Sequence, residues 1–491
     1  MSNLIVVDNV KTWPLKIPDV PIIAARDYLT DPQYSELRNL KVFNLCRSYR
    51  YQSTGYYVSL LATARGHKAF PSITTIQDMK TVSIVRIVAE DLEDVMERNL
   101  RPVKTKKFTL SIYFGRNLAK RYEELSSRLF RLFQAPLLRA EFICDDGVWK
   151  VDSVGPIAAN EIPESHQDFV VDSASRFFAQ SRLPRLRRAT TQYDLAILFD
   201  PMAERPPSNR RALGRFAQAA KRLRLGAELI KREDFGRLAE FDALFIRETT
   251  SVNHHTYRFA RRAAAEGLVV IDDPESIAKC SNKVYVAELM ARHDIPTPRT
   301  MIVHRDNKDR IHTEIGLPCI LKEPDSSFSQ GVFRTDEQDH LDQAVERLLE
   351  KSDLVIAQEY VPTPYDWRIC VLDNEPLFAC RYYMADGHWQ VVRMVGHREQ
   401  WGNVEPVPLD LVPRQVLSTG VRAARLIGDG FYGVDVKQFG KKAYLMEIND
   451  NPNVDAGYDD LLLGDDLYDR IMRVFLARIQ KKKNGAAPGT P

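Results

Sequence analysis

Near the C-terminus, the run Tyr444-Leu445-Met446-Glu447-Ile448-Asn449-Asp450-Asn451-Pro452-Asn453 sets a carboxylate and an amide oxygen two residues apart. On a strand, that spacing points both side chains to one face. Upstream lies a second carboxylate, Asp435, in Gly433-Val434-Asp435-Val436-Lys437. Two carboxylates and an amide oxygen converging on one spot suit a hard cation such as Mg²⁺, which shares its coordination sphere with phosphates. Residues 433–438 and 443–449 read as a hairpin through Phe439-Gly440-Lys441-Lys442. Asp435 faces Glu447 only if the turn is centred on Lys441, with an odd loop, or if a bulge intervenes. A plain two-residue loop sets Asp435 opposite Met446 and turns Glu447 away. The competing reading of these residues alone is a hairpin with acidic edge residues.

The elements that must position this hairpin fall into parts. Residues 1–185 read as an α/β accessory domain, with strand signals at Leu4–Val7 and Val42–Leu45 and a helix at Gly55–Arg65. Further strands are expected near Lys107–Phe114, Leu137–Ile143 and Val148–Val154. The basic, proline-interrupted stretch 181–190 reads as a linker. Residues 192–273 alternate strand and helix, beginning at Asp194–Phe199, which implies a parallel sheet. No G-x-G-x-x-G follows that first strand, so a dinucleotide fingerprint is absent. Residues 274–365 carry a helix opening at Lys283 and the apolar run Pro318-Cys319-Ile320-Leu321-Lys322. They also carry the loop Ser326–Gly331 and a strand ending in Gln358-Glu359-Tyr360-Val361. Residues 366–478 hold the hairpin, and 479–491 read as a disordered tail.

The 491-residue chain has ordinary composition: 44% apolar and 27% charged. Its net charge of +3 is too small to argue for nucleic acid. Six scattered cysteines, with no C-x-x-C pair, suit a reducing, cytoplasmic compartment. No stretch has the length of a membrane span, and the N-terminus has no signal-peptide pattern. His254-His255 and His388 lack metal-ligand company and read as surface or pocket-edge residues.

The ordered set Lys283, Lys322, a small-residue loop to Gly331, Glu359-Tyr360-Val361, Asp366-Trp367-Arg368, Arg381, Asp435, Glu447 and Asn449 resembles the ATP-grasp superfamily. Within it, residues 192–475 look like RimK-type carboxylate–amine ligases, and residues 1–185 like the N-terminal domain that accompanies some of them. The resemblance implies an ATP-grasp fold: a pre-grasp α/β domain and two α+β lobes clasping ATP, preceded by an α/β accessory domain. It implies ATP-dependent formation of an amide or peptide bond between a carboxylate, activated as an acyl phosphate, and an amino acid such as L-glutamate. Implied partners are a small-molecule or peptide carboxylate, or a ribosomal or other protein C-terminus; a homo-oligomer is expected, and neither nucleic acid nor membrane is.

The same resemblance assigns Lys283 and Lys322 to the phosphates. Ser329 and Gly331 belong to the loop closing over them, and Gln358, Glu359, Tyr360, Val361 and Asp366 to the nucleotide site. A solvated helix-start lysine is the plainer reading of Lys283, and a surface carboxylate that of Glu359. Arg381 is assigned to the γ-phosphate and acyl group. Arg368 either joins it or pairs with Asp366. Asp435, Glu447 and Asn449 would hold Mg²⁺, or Mn²⁺. A nucleotide-responsive binding protein that has lost ligation is the rival expectation.

Overall fold

The computed structural model describes residues 2–37, 40–80, 85, 92–145, 147–180, 191–325, 331–395 and 398–485. The expected linker at 181–190 and the loop residues 326–330, Ser329 among them, lie outside the described residues.

The chain divides into two compact units. The first comprises residues 1–191 with 233–241 and 479–491. It contains a parallel sheet in which β1 (Ser2–Val7) lies between β2 (Ile22–Ala24) and β3 (Leu40–Asn44), with β4 (Lys68–Phe70) beyond β3. A separate antiparallel sheet runs β5 (Lys107–Tyr113), β6 (Leu137–Asp145), β7 (Val148–Pro156). Residues 233–241 belong to this unit although the chain around them does not, an excursion that no local pattern announces.

The second unit, residues 192–232 and 242–478, contains the expected parallel sheet. β8 (Tyr193–Leu198) pairs β9 (Leu225–Ile230) on one side and β10 (Ala243–Ile246) on the other, with β11 (Val269–Ile271) outermost. All of β10 and β11 is buried, which is why both read as unbroken apolar runs. An antiparallel sheet follows in the order β12 (Thr300–Val303), β15 (Val355–Glu359), β13 (Cys319–Lys322), β14 (Val332–Thr335).

Two more hairpin strands come next: β16 (Tyr365–Leu372) and β17 (Glu375–Tyr383). The short pair β18 (Val392–Val395) and β19 (Arg398–Trp401) stands apart. With β20 (Val404–Val407), β21 (Phe431–Phe439) and β22 (Lys442–Asn449), the larger hairpins make a five-stranded antiparallel sheet ordered β20-β17-β16-β21-β22. One face of this sheet packs on the helix Arg414–Ile427 through Trp367, Ile369, Val371, Ala379, Val434, Val436 and Leu445. Those larger than alanine each contribute about 1.5–3 kcal/mol on burial, which leaves the opposite face for polar chemistry. The last helix runs Asp465–Gly485, so residues 479–485 continue a helix where a disordered tail is expected from composition.

Candidate active site

The hairpin β21–β22 closes with Phe439 paired to Lys442 around Gly440-Lys441. Gly440 supplies the left-handed φ of +60° that the turn needs. Pairing runs Gln438 with Ala443, Lys437 with Tyr444 and Val436 with Leu445, then steps to Asp435 with Glu447. Met446 is the extra residue of a β-bulge. Of the two routes that set Asp435 against Glu447, the chain takes the bulge. Burial records the change of phase: Ala443 and Leu445 face the core, and the next core residue is Ile448. Glu447 and Asn449 therefore share the open face with Asp435.

Strand β16 adds Arg368, which pairs in register with Asp435. Its guanidinium forks the Asp435 carboxylate, with Nη2–Oδ2 at 2.9 Å and a second bond from Nε to Oδ1. Arg368 thus pairs with Asp435 and not with Asp366. Asp366 instead accepts from Lys437 Nζ at 2.6 Å and from Thr363 Oγ1 at 3.3 Å. Burial pushes the Asp435 carboxyl above its usual range and Arg368 pulls it back, while Glu447 and Asp366 add repulsion. Lys283, at the start of its helix, reaches Glu447 Oε1 at 3.4 Å, so it is no freely solvated lysine.

Lys322 ends β13 on the sheet face away from the helix-packed Cys319 and Leu321. Burial lowers its pKa to about 8; Lys283 and Lys437 act the same way, against Glu447 and Asp366. Four cations (Lys283, Lys322, Lys437, Arg368) thus surround three carboxylates (Asp366, Asp435, Glu447). That surplus of fixed positive charge suits a polyanion.

Gln358 lies on the same face as Lys322, paired in register with Ile320. Its Nε2 donates to Thr300 Oγ1 at 2.9 Å, and its Oε1 is buried with no partner. Tyr360 lies under the Arg334 guanidinium, 4.3 Å from ring centroid to Cζ, and Val361 is buried. Gly331, at φ +67°, leads into β14. Glu359 points elsewhere and pairs with Arg299 Nε at 3.0 Å, which holds its carboxyl below the usual range.

Arg381 is the main correction. It pairs in register with Trp367, not with Arg368, and so shares the core face. Its guanidinium lies over the Trp367 and Tyr365 rings, 4.8 and 5.1 Å from the centroids, and reaches Glu405 at 3.3 Å. The open face of β17 presents Tyr382 instead, over whose ring Arg368 lies at 4.9 Å.

Two groups in the site carry no sequence assignment. Lys437 follows the same two-residue rule as Asp435, so alternation alone points to it. Asp459, buried behind Arg368 and pushed up to about 7 chiefly by burial, has no strand pattern to mark it. His254 and His255 do have ligand company: Glu248 Oε2 lies 2.6 Å from His255 Nε2.

A parallel α/β sheet followed by two antiparallel sheets, with lysines and carboxylates converging on the open face of the last, defines an ATP-grasp protein. Residues 280–472 match the RimK-like ATP-grasp domain, and residues 25–173 the RimK-like ATP-grasp N-terminal domain. The chain belongs to the RimK-like ATP-grasp family of ATP-dependent carboxylate–amine ligases. It is 27% identical over 193 residues to the alpha-aminoadipate–LysW ligase LysX of Saccharolobus solfataricus, covering 38% of this chain and 67% of the relative. It is 24% identical over 240 residues to a probable alpha-L-glutamate ligase of Syntrophotalea carbinolica, covering 48% and 76%. A solved RimK-domain ATP-grasp structure from Sphaerobacter thermophilus aligns with 18% identity over 57% of this chain and 98% of that one, at a TM-score of 0.42.

Proposed function

We propose that this ligase joins the amino group of an amino acid such as L-glutamate to the carboxylate of a small molecule or peptide, releasing ADP and phosphate. The observation that carries the site assignment is the convergence of Lys283, Lys322, Lys437 and Arg368 on the face holding Asp435, Glu447 and Asn449. Lys283 and Lys322 would bind the phosphates as point charges. Lys437 holds Asp366 in place beside them. The buried, unpartnered Gln358 Oε1 would accept from the adenine amino group.

Asp435, Glu447 and Asn449 would hold Mg²⁺ or Mn²⁺, and their all-oxygen donor set fits such a cation. Each oxygen already has one protein donor: Arg368 for Asp435, Lys283 for Glu447, and the Asn451 N–H at 2.9 Å for Asn449. A carboxylate or amide oxygen keeps a second lone pair for a metal. The ion would neutralise phosphate charge. Excluding water from this face would protect an acyl phosphate until the amine arrives.

The name of the Syntrophotalea relative supports glutamate as the amine donor. The six unbridged cysteines support a reducing, cytoplasmic setting, and among the described residues no helix is long and apolar enough to cross a membrane. The test is mass spectrometry of products after incubation with ATP, Mg²⁺ and an amino-acid mixture. A new amide with matching ADP release is expected. Measurable ATP binding with no ADP release from any amine–carboxylate pair would leave a nucleotide-binding protein only.

A further inference from the structure

In the parallel sheet, β8 stands between β9 and β10, so the strand order reverses between β8 and β10. Ligands of open α/β sheets bind in the crevice outside the carboxyl ends of the strands at such a point. The chain leaving β10 there carries Arg247, Glu248 and, at the start of the next helix, His254 and His255. Asn451 ties this loop to the hairpin end. Its Nδ2 donates to Glu248 O at 2.5 Å, its Oδ1 accepts from Arg247 Nη1 at 2.6 Å, and its N–H donates to Asn449 Oδ1 at 2.9 Å.

One ligand atom each from Glu248, His254 and His255 lies within 4.8 Å of the others. The Glu248 side chain is buried and its Oε2 faces His255 Nε2. The tautomer of His254 follows from its neighbours. Thr256 Oγ1 gives its proton to Thr249 O at 3.2 Å, so it accepts from His254 Nδ1–H at 3.0 Å. The Thr249 carbonyl also accepts from the His254 ring, and in the Nδ1–H tautomer Nε2 is the nitrogen that would face a metal. An outer partner that fixes ring and tautomer in this way is the usual companion of a metal-bound histidine.

We propose that Glu248, His254 and His255 form a second metal site, separate from the all-oxygen site on the hairpin, for a borderline divalent cation of the Zn²⁺ or Co²⁺ class. Two imidazoles and one carboxylate are the donor set such ions prefer, and Mg²⁺ does not. With three protein ligands, a tetrahedral ion keeps one position for water or a substrate atom. Drawing Glu248 and His255 apart by about 0.7 Å brings their 2.6 Å contact to the roughly 3.3 Å separation of two ligands held about 2 Å from one tetrahedral ion.

The test is calorimetric titration of the metal-free full chain with Zn²⁺, and with Co²⁺ followed by its visible absorption, without nucleotide. One ion per chain is expected, with tetrahedral Co²⁺ bands. His254→Ala, His255→Ala and Glu248→Gln should each weaken binding by roughly tenfold or more, and Thr256→Val by roughly tenfold through the ring's orientation. Glu447→Gln should leave Zn²⁺ binding unchanged, which separates this site from the ligase assignment. Absence of stoichiometric Zn²⁺ binding by the native chain would overturn the proposal. So would unchanged affinity in folded His254→Ala and His255→Ala variants, folding being checked by circular dichroism.

Discussion

Two hairpins of the five-stranded sheet use one device to opposite effect. Both β16–β17 and β21–β22 close in two-residue turns, Asp373-Asn374 and Gly440-Lys441, and both carry a bulge. In β21–β22 the extra residue is Met446, and the phase change brings Glu447 onto the open face beside Asp435. In β16–β17 the extra residue is Leu377, because pairing steps from Val371–Pro376 to Cys370–Phe378. Without that step Arg381 would lie opposite Asp366, on the face of Arg368. With it, Arg381 lies opposite Trp367. One inserted residue flips every side chain beyond it, so a bulge recruits a carboxylate in one hairpin and withdraws an arginine in the other.

The sharpest way to break this comparison is at the recruited side chain. Glu447→Gln should lower ADP formation a hundredfold or more, about 3 kcal/mol in the barrier, with an unchanged circular dichroism spectrum. Turnover at the native rate would remove the hairpin from the site. Next comes Arg368, the arginine on the open face. Arg368→Met leaves the Asp435 carboxylate buried without its partner, at a cost of about 3 kcal/mol in urea unfolding, and should also abolish measurable ligation.

A pH series addresses the open face alone. Lys322 releases its proton near 8 in the folded chain, against about 10.4 when unfolded. Between these values the unfolded chain binds more protons, so stability rises with pH. Phosphate favours the ammonium form, so ATP affinity should fall about tenfold from pH 7 to 9. Lys322→Arg should flatten that profile in calorimetry, and an equally steep fall in the variant would assign the titration elsewhere. The smallest effect belongs to the withdrawn side chain. Arg381→Met should cost about 1 kcal/mol or less, the worth of its ring contacts, and change ADP release less than about threefold. If Arg381→Met abolished ligation while Arg368→Met did not, the assignment of faces would be reversed.

Much of the site was legible because its rules are local. Glu447 and Asn449 are two apart on one strand, and so are Asp435 and Lys437; alternation relates each pair whatever the rest of the fold does. The apolar run before Lys322 likewise marks a lysine at the end of a buried strand. Glu359 was less legible. Whether it or Gln358 shares the face of Lys322 depends on which neighbour packs on the helix, and the structure turns Glu359 to Arg299. The Glu248 cluster escaped because its members are joined by a loop, with no period to relate them.

The sequence by itself determined the class of protein and the oxygen-donor types along the two strands of the β21–β22 hairpin. Those follow from residue chemistry and from spacings within single strands. Only the tertiary structure decided which strand faces which. Cross-strand phase depends on where a bulge falls, and Met446 and Leu377 look like ordinary strand residues. The extra residue is accommodated by packing on both sides: Leu445 and Ile448 on the core at one hairpin, Ala379 and Trp367 at the other. That choice belongs to the assembled sheet, where burying apolar side chains on the Arg414–Ile427 helix outweighs the ladder bonds lost at each bulge.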